Sequence, residues 1–318
     1  MTTEPNPAGL QGMDRLDPQL VASGALMFSV LGPETLAGAR ESLDARRALL
    51  VDEMPLDGVV VEASSVTVVG RTITVRIYRG TAERPAPTLF FFHSGGLVLG
   101  NLDTDHRMCV ALARGAQCVV VSVEYRLAPE HPYPAAIDDC VDAVRAWVTD
   151  ARANGTDVDR LAIGGNSAGA GLTAAVALRL RDEGGPAVRL QLMHQPMLDA
   201  SCSSPSMVEF VETPGFNSQS AAWVWASYLA GHPVTPYASP AAAPTLAGLP
   251  PAYICCSELD PLRDEALDYA RRLVQDRVPT ELHLVPGTCH GFATIVPAHP
   301  LSLAQQAVEV AALARAWS

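Results

Sequence analysis

The chain has 318 residues, a length that suits two domains or one large α/β domain with an insertion. Hydrophobic residues make up 48% and charged residues 18% of it, which excludes disorder for most of the chain. The formal net charge is −12, from 22 basic and 34 acidic residues, so neither a nucleic acid nor an anionic lipid surface is an expected partner.

The seven cysteines are too few and too scattered for a disulfide framework, and their odd number leaves an unpaired thiol. We therefore predict a reducing, cytoplasmic location. No metal site is expected, because the adjacent Cys255 and Cys256 lack the spacer of a zinc site, and His106 and Cys109 lack a matching second pair. The apolar run Leu20–Leu31 falls short of the roughly 18 residues of a membrane span and lacks the basic start of a signal peptide.

The first 55 residues are predicted to form a helical N-terminal segment that precedes the sheet. One helix is expected from residue 17 or 18 to about Leu31, and a second over about Glu34–Leu50, after the Gly-Pro pair at 32 and 33. An antiparallel hairpin is predicted next, with strands over Val66–Val69 and Thr72–Tyr78 joined by a tight turn at Gly70.

Beyond the hairpin, short apolar runs alternate with helical stretches, a pattern typical of a mostly parallel sheet with helices on both faces. The near-continuous apolar runs predict strands buried on both faces: Thr88–Phe92, Val119–Val123, Leu161–Gly164, Leu190–His194, Ala252–Cys256 and Leu282–Val285. The predicted helices are Asp105–Arg114, Ala135–Ala153, Ala168–Arg181, Arg263–Gln275 and Leu303–Trp317. The aromatic-rich stretch between His194 and Ala252 is too long for an ordinary connection, so we expect an insertion that packs over the core.

A sharp strand-turn-helix connection is predicted at Gly165-Asn166-Ser167-Ala168-Gly169. This is the context of a nucleophile elbow, in which the serine has a strained backbone and side chains at 165 or 169 would collide with neighbouring elements. The alternative is an N-cap serine in an ordinary turn between a strand and a helix. Because a strand precedes the motif and a helix follows it, we predict that Ser167 is a nucleophile.

A serine hydroxyl needs a base to take its proton, and in this type of fold the order along the chain is serine, acid, histidine. His290 is the predicted base, because it lies in a glycine-flanked loop directly after a strand, at the carboxyl edge of the sheet. His283 is interpreted as a strand residue, and His232 and His299 as surface residues beside prolines.

The acid is expected in the loop after the preceding strand. Asp260 is the predicted acid, because Pro261 keeps it out of helical geometry and lets its carboxylate face the histidine loop. Glu258 is the alternative acid. An N-cap role is the alternative for Asp260 itself.

Ester hydrolysis also needs backbone donors for an oxyanion. His93-Ser94-Gly95-Gly96 follows an early strand, and we predict the N–H groups of Gly95, Gly96 and Ala168 as these donors. Taken alone, the glycine-rich segment is better interpreted as a flexible turn after a strand.

Five motifs in this order resemble the bacterial hormone-sensitive-lipase family of α/β-hydrolases, and the segment 206–214 is similar to the branch that contains bacterial heroin esterase. The motifs are His93-Ser94-Gly95-Gly96, Tyr125-Arg126-Leu127-Ala128-Pro129-Glu130, Gly165-Asn166-Ser167-Ala168-Gly169, Asp260-Pro261-Leu262-Arg263-Asp264-Glu265 and His290-Gly291-Phe292. Two positions depart from the family pattern: Ser94 stands where the first of three glycines is usual, and Asn166 where Asp is common.

The resemblance implies an α/β-hydrolase fold with an eight-stranded, mostly parallel sheet and a helical cap. Residues 1–55 and 201–235 are expected to form the cap, and 56–200 and 236–318 the core. It also implies cofactor-free hydrolysis of short-chain carboxylic esters by Ser167, His290 and Asp260. Relatives dimerise through the C-terminal helix and edge strand, so a homodimer is among the expectations.

Substrate contacts are predicted for Leu97 and for the cap aromatics Phe210, Phe216, Trp223 and Trp225, with burial in the cap core as the alternative for the aromatic residues. Asp138 and Asp139 are interpreted as part of an ionic network that braces the oxyanion loop. Two alternative functions stay open: an amidase or a lactone or carbamate hydrolase with the same three residues, and a ligand-binding member of the fold without catalysis. His290 argues against the second.

Overall fold

Eight strands form one sheet in the computed structural model, which describes residues 12, 14–26 and 29–318. The strands are β1 (Val60–Val68), β2 (Arg71–Arg79), β3 (Ala86–Phe92), β4 (Val119–Val123), β5 (Thr156–Asn166), β6 (Leu190–His194), β7 (Ala252–Leu259) and β8 (Thr280–Cys289). Their spatial order is β1-β2-β4-β3-β5-β6-β7-β8. β2 pairs antiparallel with β1 and β4, and every later pair is parallel, which confirms the hairpin and the mostly parallel sheet.

Eleven α-helices are present among the described residues. They are α1 (Pro18–Ala22), α2 (Leu36–Glu53), α3 (His106–Gly115), α4 (Ala135–Thr149), α5 (Ala151–Asn154), α6 (Ala168–Asp182), α7 (Pro205–Glu209), α8 (Ser218–Leu229), α9 (Arg263–Gln275), α10 (Phe292–Ile295) and α11 (Pro300–Arg315). Two predictions need correction. The first helix ends at Ala22 instead of about Leu31, because Gly24 takes a left-handed conformation two residues later, with φ of 65°. The helix predicted over 135–153 is interrupted at Asp150.

Both faces of the central strands are buried. Along β3, Phe90 and Phe92 belong to one apolar cluster and Leu89 and Phe91 to the other, and all four side chains are fully buried. This alternation explains the continuous apolar run at β3, since both faces of the strand meet helices.

The edge strand β8 differs from this prediction. Leu282 is 40% and Leu284 45% exposed, so one face of β8 is open although its sequence resembles a buried strand. The apolar run did not reveal this, because an edge position depends on the order of strands and not on the strand itself.

The N-terminal segment and the insertion after β6 contact each other at the carboxyl edge of the sheet. The side-chain amide of Asn217 donates to the carbonyl of Ser29 at 2.8 Å, and the N–H of Leu31 donates to Ser220 Oγ at 3.0 Å. The division of the chain into cap and core at residues 55, 200 and 235 stays a prediction.

Candidate active site

Ser167 lies on the turn between β5 and α6. Its backbone is strained, with φ of 56° and ψ of −116°, and its side chain makes no capping hydrogen bond to the helix. A Cβ atom at Gly165 or Gly169 would overlap the carbonyl oxygen of Phe92, the last residue of β3. Only glycine therefore fits at these two positions, and the N-cap alternative for Ser167 has no support in the geometry.

The three residues predicted as nucleophile, base and acid lie in one hydrogen-bonded chain. Ser167 Oγ is 2.9 Å from His290 Nε2, and His290 Nδ1 is 2.7 Å from Asp260 Oδ2. Asp260 is fully buried, and its second oxygen accepts the N–H of Leu262 at 2.9 Å. The arrangement allows proton transfer from the serine to an imidazole that the carboxylate orients.

The alternative acid and the other histidines lie elsewhere. Glu258 accepts from Arg15 and from the N–H of Gly287, each at 2.8 Å, and makes no hydrogen bond to His290. His283 bonds Glu281 on β8, as expected of a strand residue, and His232 is exposed. His299 was interpreted as a surface residue; instead it is only 7% exposed, and its side-chain Nδ1 accepts the N–H of Leu301 as the N-cap of α11.

Two of the predicted oxyanion donors, Gly95 and Gly96, line the same cavity as Ser167, and the third, Ala168, directly follows Ser167 in the chain. Gly95 and Gly96 have φ of 131° and 61°, and a Cβ atom at Gly95 would overlap the carbonyl oxygen of Leu99. Within the described residues, no acceptor takes the backbone N–H of Gly95, Gly96 or Ala168. These free donors beside the serine hydroxyl suit a tetrahedral intermediate.

The oxyanion loop, residues 93–99, is held by the 125–130 segment. Tyr125 donates its hydroxyl to the carbonyl of His93 at 2.7 Å, and the two rings stack with centroids 4.1 Å apart. Arg40 from α2 donates to the carbonyl of Val98 at 2.8 Å and pairs with Glu130 at 2.7 Å. The loop is thus fixed from two sides.

The carboxylates of Asp138 and Asp139 do not form a pair. Asp139, only 2% exposed, binds the guanidinium of Arg126 through both oxygens and also pairs with Arg71 at 2.8 Å. Asp138 pairs with Arg179 instead, at 2.6 Å. Asp139 therefore fixes the 125–130 segment that holds the oxyanion loop, in agreement with the structural interpretation.

Asp105, which the sequence did not single out, links the oxyanion loop to the elbow. Its carboxylate accepts the backbone N–H of Ser94 at 2.6 Å and the side-chain amide of Asn166 at 2.8 Å. Asp105 is 4% exposed, and it precedes α3 without capping that helix. The two departures from the family pattern, Ser94 and Asn166, thus meet at one buried carboxylate.

Gln195 is a second residue that the sequence did not indicate. Directly after β6 and with φ of 50°, it accepts the N–H of Gly291 at 2.8 Å, which fixes the backbone next to His290. Its amide donates to Ser257 Oγ on β7. No local pattern marks this residue, because its partners come from β7 and from the histidine loop.

The serine and histidine open onto a cavity of 300 Å³. Part of its wall comes from α2 and residues 29–31, and part from the insertion at 215–220, where the Phe216 ring lies 5.3 Å from the His290 ring. Of the predicted substrate contacts, Phe216 lines this cavity, whereas Leu97, Phe210 and Trp225 do not; these three residues are each at most 3% exposed and pack in apolar clusters. The prediction for these three residues is corrected accordingly.

One cluster of described residues has the composition of a metal site. His194, Cys255 and Glu309 are buried, and their ligand atoms lie within 4.8 Å of one another. His194 Nδ1 and Glu309 Oε1 already form a hydrogen bond at 2.5 Å. Burial, and then the charge of the Glu309 carboxylate, raise the pKa of Cys255 well above its usual value.

Comparison with known proteins adds to the geometry. A family model of the α/β-hydrolase fold matches residues 89–294. Esterase LipI of Mycobacterium tuberculosis is 43% identical over 225 residues, which cover 68% of this chain and 69% of that protein. An ethyl acetate hydrolase of Pseudomonas putida is 34% identical over 284 residues, 86% of this chain and 89% of that protein.

Solved structures agree with the sequence relatives. Esterase LipW from Mycobacterium marinum matches with a TM-score of 0.92 and 46% identity, over 95% of this chain and 96% of that one. A bacterial heroin esterase matches with a TM-score of 0.91 and 35% identity, over 96% of this chain and 99% of that one. In the described part of the chain, no helix combines the length and apolar character that crossing a membrane requires.

Proposed function

Because the chain belongs to the bacterial hormone-sensitive-lipase family of α/β-hydrolases, we propose that it is a serine carboxylesterase that hydrolyses short- to medium-chain acyl esters through an acyl-enzyme. One observation carries the proposal: the hydrogen-bonded chain from Ser167 through His290 to Asp260, at 2.9 and 2.7 Å, opens onto a cavity beside unpaired backbone donors. No cofactor enters the reaction.

The first half of the reaction forms the acyl-enzyme. His290 takes the Ser167 proton as the hydroxyl oxygen attacks the ester carbonyl, and the oxyanion accepts hydrogen bonds from the N–H groups of Gly95, Gly96 and Ala168. When the intermediate collapses, the ester C–O bond breaks and His290 returns the proton to the departing alcohol. Asp260 holds the imidazole in the tautomer that both transfers need.

The second half releases the acid. His290 removes a proton from water, which attacks the acyl carbonyl; the bond to Ser167 breaks, and the serine regains its proton from the imidazolium. The cavity of 300 Å³ lies at the small end of ligand sites, a size that favours short acyl chains.

Hydrolysis of p-nitrophenyl acetate, butyrate, octanoate and palmitate tests the proposal. The wild type should turn over the shorter esters best, and Ser167→Ala and His290→Ala should each lose roughly four orders of magnitude or more in kcat while their circular dichroism stays that of the wild type. Glu258→Gln serves as the control, because this acid makes no bond to His290 and its loss should leave kcat near the wild-type value. Wild-type activity in Ser167→Ala would refute the mechanism, and a folded wild type without esterase activity would favour the amidase or ligand-binding alternatives.

Two further features belong to the proposal. A reducing, cytoplasmic location is supported by the seven cysteines, all free thiols in the structure. A homodimer through β8 is supported by the exposed Leu282 and Leu284 on that edge strand. Light scattering after size exclusion should give the mass of a dimer for the wild type and of a monomer for Leu284→Arg. A monomeric wild type would refute the dimer.

A further inference from the structure

The catalytic cavity has a charge opposite to that of the whole chain. The protein carries a net charge of −12, yet Arg46 and Arg47 line the cavity and, among the described residues, no aspartate or glutamate does. Both arginines lie on α2, and they line the same cavity as Ser167 and His290. A cationic wall in an acidic protein is a local feature of the site, and it favours a ligand with a negative charge.

Arg47 is also unusual among the arginines of this chain, which has no lysine. Its guanidinium makes no hydrogen bond or ion pair with any described residue, and its Nε atom is buried without a partner. The other arginines without a partner are all exposed: Arg84, Arg107, Arg152 and Arg277. An unpaired and partly buried arginine has lost water without gaining an acceptor, a cost that a bound anion would offset.

The nearest acidic group does not replace such an anion. Asp105 attracts Arg47 electrostatically, but no ion pair joins them, and both Asp105 oxygens are occupied by Ser94 and Asn166. Burial lowers the pKa of Arg47, against the opposing effect of Asp105, yet an arginine keeps its proton at neutral pH. The guanidinium is thus a positive charge with free donors.

A neighbouring cavity fixes the side from which an anion would approach. Arg47 also borders a second cavity, of 240 Å³, whose lining includes Asp103, Asp105 and Glu309. Arg107 lines that cavity as well, so its wall carries charges of both signs, whereas the described lining of the catalytic cavity has Arg46 and Arg47 and no carboxylate. The free donors of Arg47 are therefore best satisfied from the catalytic side.

We propose that the substrate is an ester that carries a carboxylate, and that Arg47 binds this carboxylate while Ser167 attacks the ester group. The inference rests on the proposed function and names its substrate class, with Arg47 as a specificity-determining residue and Arg46 as the second cation of the cavity wall. A charged hydrogen bond between a guanidinium and a carboxylate is among the stronger polar contacts, so it discriminates well against neutral esters.

The test compares anionic esters with neutral counterparts by proton release at constant pH. Monomethyl glutarate carries its carboxylate in the acid part and O-acetylglycolate in the alcohol part; dimethyl glutarate and propyl acetate are the neutral counterparts. The wild type should have a kcat/KM roughly ten- to hundredfold higher for at least one anionic ester than for its counterpart. Which pair shows the preference identifies the part of the ester that faces Arg47.

Variants assign this preference to Arg47. In Arg47→Gln, the ratio of kcat/KM for the anionic ester to kcat/KM for the neutral ester should fall most of the way to one. In Arg47→Lys, this ratio should stay between the values of the wild type and of Arg47→Gln. Arg152→Gln is the matched control: it removes the same charge from an exposed, unpartnered arginine outside the cavity, and the ratio should stay that of the wild type. Added salt should lower kcat/KM for the anionic ester more than for the neutral one.

The outcomes separate this inference from the proposed function. If the wild type hydrolyses p-nitrophenyl butyrate but shows no preference for either anionic ester, or if Arg47→Gln leaves the ratio intact, the anionic substrate is refuted and the esterase stands. If a folded wild type hydrolyses no ester at all, both are refuted. Loss of the ratio in Arg152→Gln to the same extent as in Arg47→Gln would assign the effect to overall charge and refute the role of Arg47.

Discussion

The two sides of the catalytic cavity are built in different ways. Its floor consists of the oxyanion loop, the elbow at Ser167 and the loop of His290, which follow β3, β5 and β8 at the carboxyl edge of the sheet. Its roof consists of residues 29–31, α2 and the insertion at 215–220. In the floor, backbone strain and hydrogen bonds between segments hold the serine, the imidazole and the oxyanion loop in place, whereas the roof offers apolar packing and the Arg47 guanidinium, which bonds no described residue.

This difference assigns the chemical reaction to the floor of the cavity and the choice of substrate to its roof. The floor must hold the serine, the imidazole and the oxyanion donors to within fractions of an ångström, and parallel strands provide such precision because their ends meet at one edge. The roof has to fit one substrate, so its side chains can change without disturbing the chemistry. Substitutions in the floor should therefore act on kcat, and those in the roof on stability or on substrate preference.

The largest expected effect is on the stability of the roof. Trp225 on α8 is 3% exposed, packs near Tyr228 and does not line the cavity. Trp225→Ala should lower the free energy of unfolding by about 3–5 kcal/mol and leave the preference among acyl chain lengths unchanged. Trp223→Ala, two residues away at a partly exposed position, is the control with a smaller loss. Urea titration measures the free energy of unfolding of both variants. A changed preference among acyl chain lengths in Trp225→Ala would show that Trp225 contacts the substrate after all.

In the floor, the oxyanion loop is the most sensitive place for a single added methyl group. Gly95→Ala should lower kcat by about 10²- to 10³-fold, because its Cβ atom overlaps the carbonyl of Leu99 and the loop must move away from the oxyanion. Gly38→Ala makes the same chemical change on α2, where a Cβ atom meets no neighbour within 4 Å, and should leave kcat unaltered. Equal kcat values for the two variants would mean that the loop does not bind the oxyanion.

The link between Asp105 and Asn166 should set the pH dependence of the floor. Asn166→Asp would place two buried carboxylates in contact, so that one must hold a proton, and its pKa would be raised. The link would then hold at low pH and loosen as the pH rises and both groups ionise. We expect kcat/KM of the variant to fall roughly tenfold, relative to the wild type, between about pH 6 and about pH 9. Superimposable pH profiles would show that Asp105 does not position the oxyanion loop.

Sequence predicted the floor much better than the roof, for a physical reason. The elbow, the histidine loop and the glycines of the oxyanion loop are local in sequence, because backbone strain requires particular residues at particular positions. Most strands were also predicted to within a few residues, because a strand that is buried on both faces has a continuous apolar run in its own sequence. The roles of Ser167, His290 and Asp260 stay predictions until variants are measured.

What the sequence did not indicate depends on contacts between distant segments. Asp105 meets Ser94 and Asn166 from three separate elements, and nothing in its own surroundings marks it. Arg47 stands out only by comparison within the folded chain, because each of the other arginines either has a hydrogen-bond or ion-pair partner or is exposed to solvent. The exposed face of β8 likewise follows from its place at the end of the sheet.

The smallest expected effect lies at the seam between core and insertion. Glu265 on α9 is 5% exposed and accepts the N–H of Leu198 at 2.6 Å; burial, and then the charge of Asp199, raise its pKa well above the usual value. Because the folded chain holds this proton more tightly than the unfolded chain, its contribution to stability is complete below the unfolded pKa and is lost as the pH rises through the folded pKa.

Glu265→Gln keeps the acceptor for the N–H of Leu198 and removes the titrating carboxyl group. Between about pH 5 and about pH 8, the Tm of the variant should therefore fall by about 2 °C less than the Tm of the wild type. Glu34→Gln, at an exposed position of the N-terminal segment, should follow the wild type at every pH. Differential scanning calorimetry across this range distinguishes the two variants. If Glu265→Gln loses Tm with pH as steeply as the wild type, the Glu265 carboxyl is already ionised in the fold, and the seam between core and insertion contains a buried charge instead of a neutral acid.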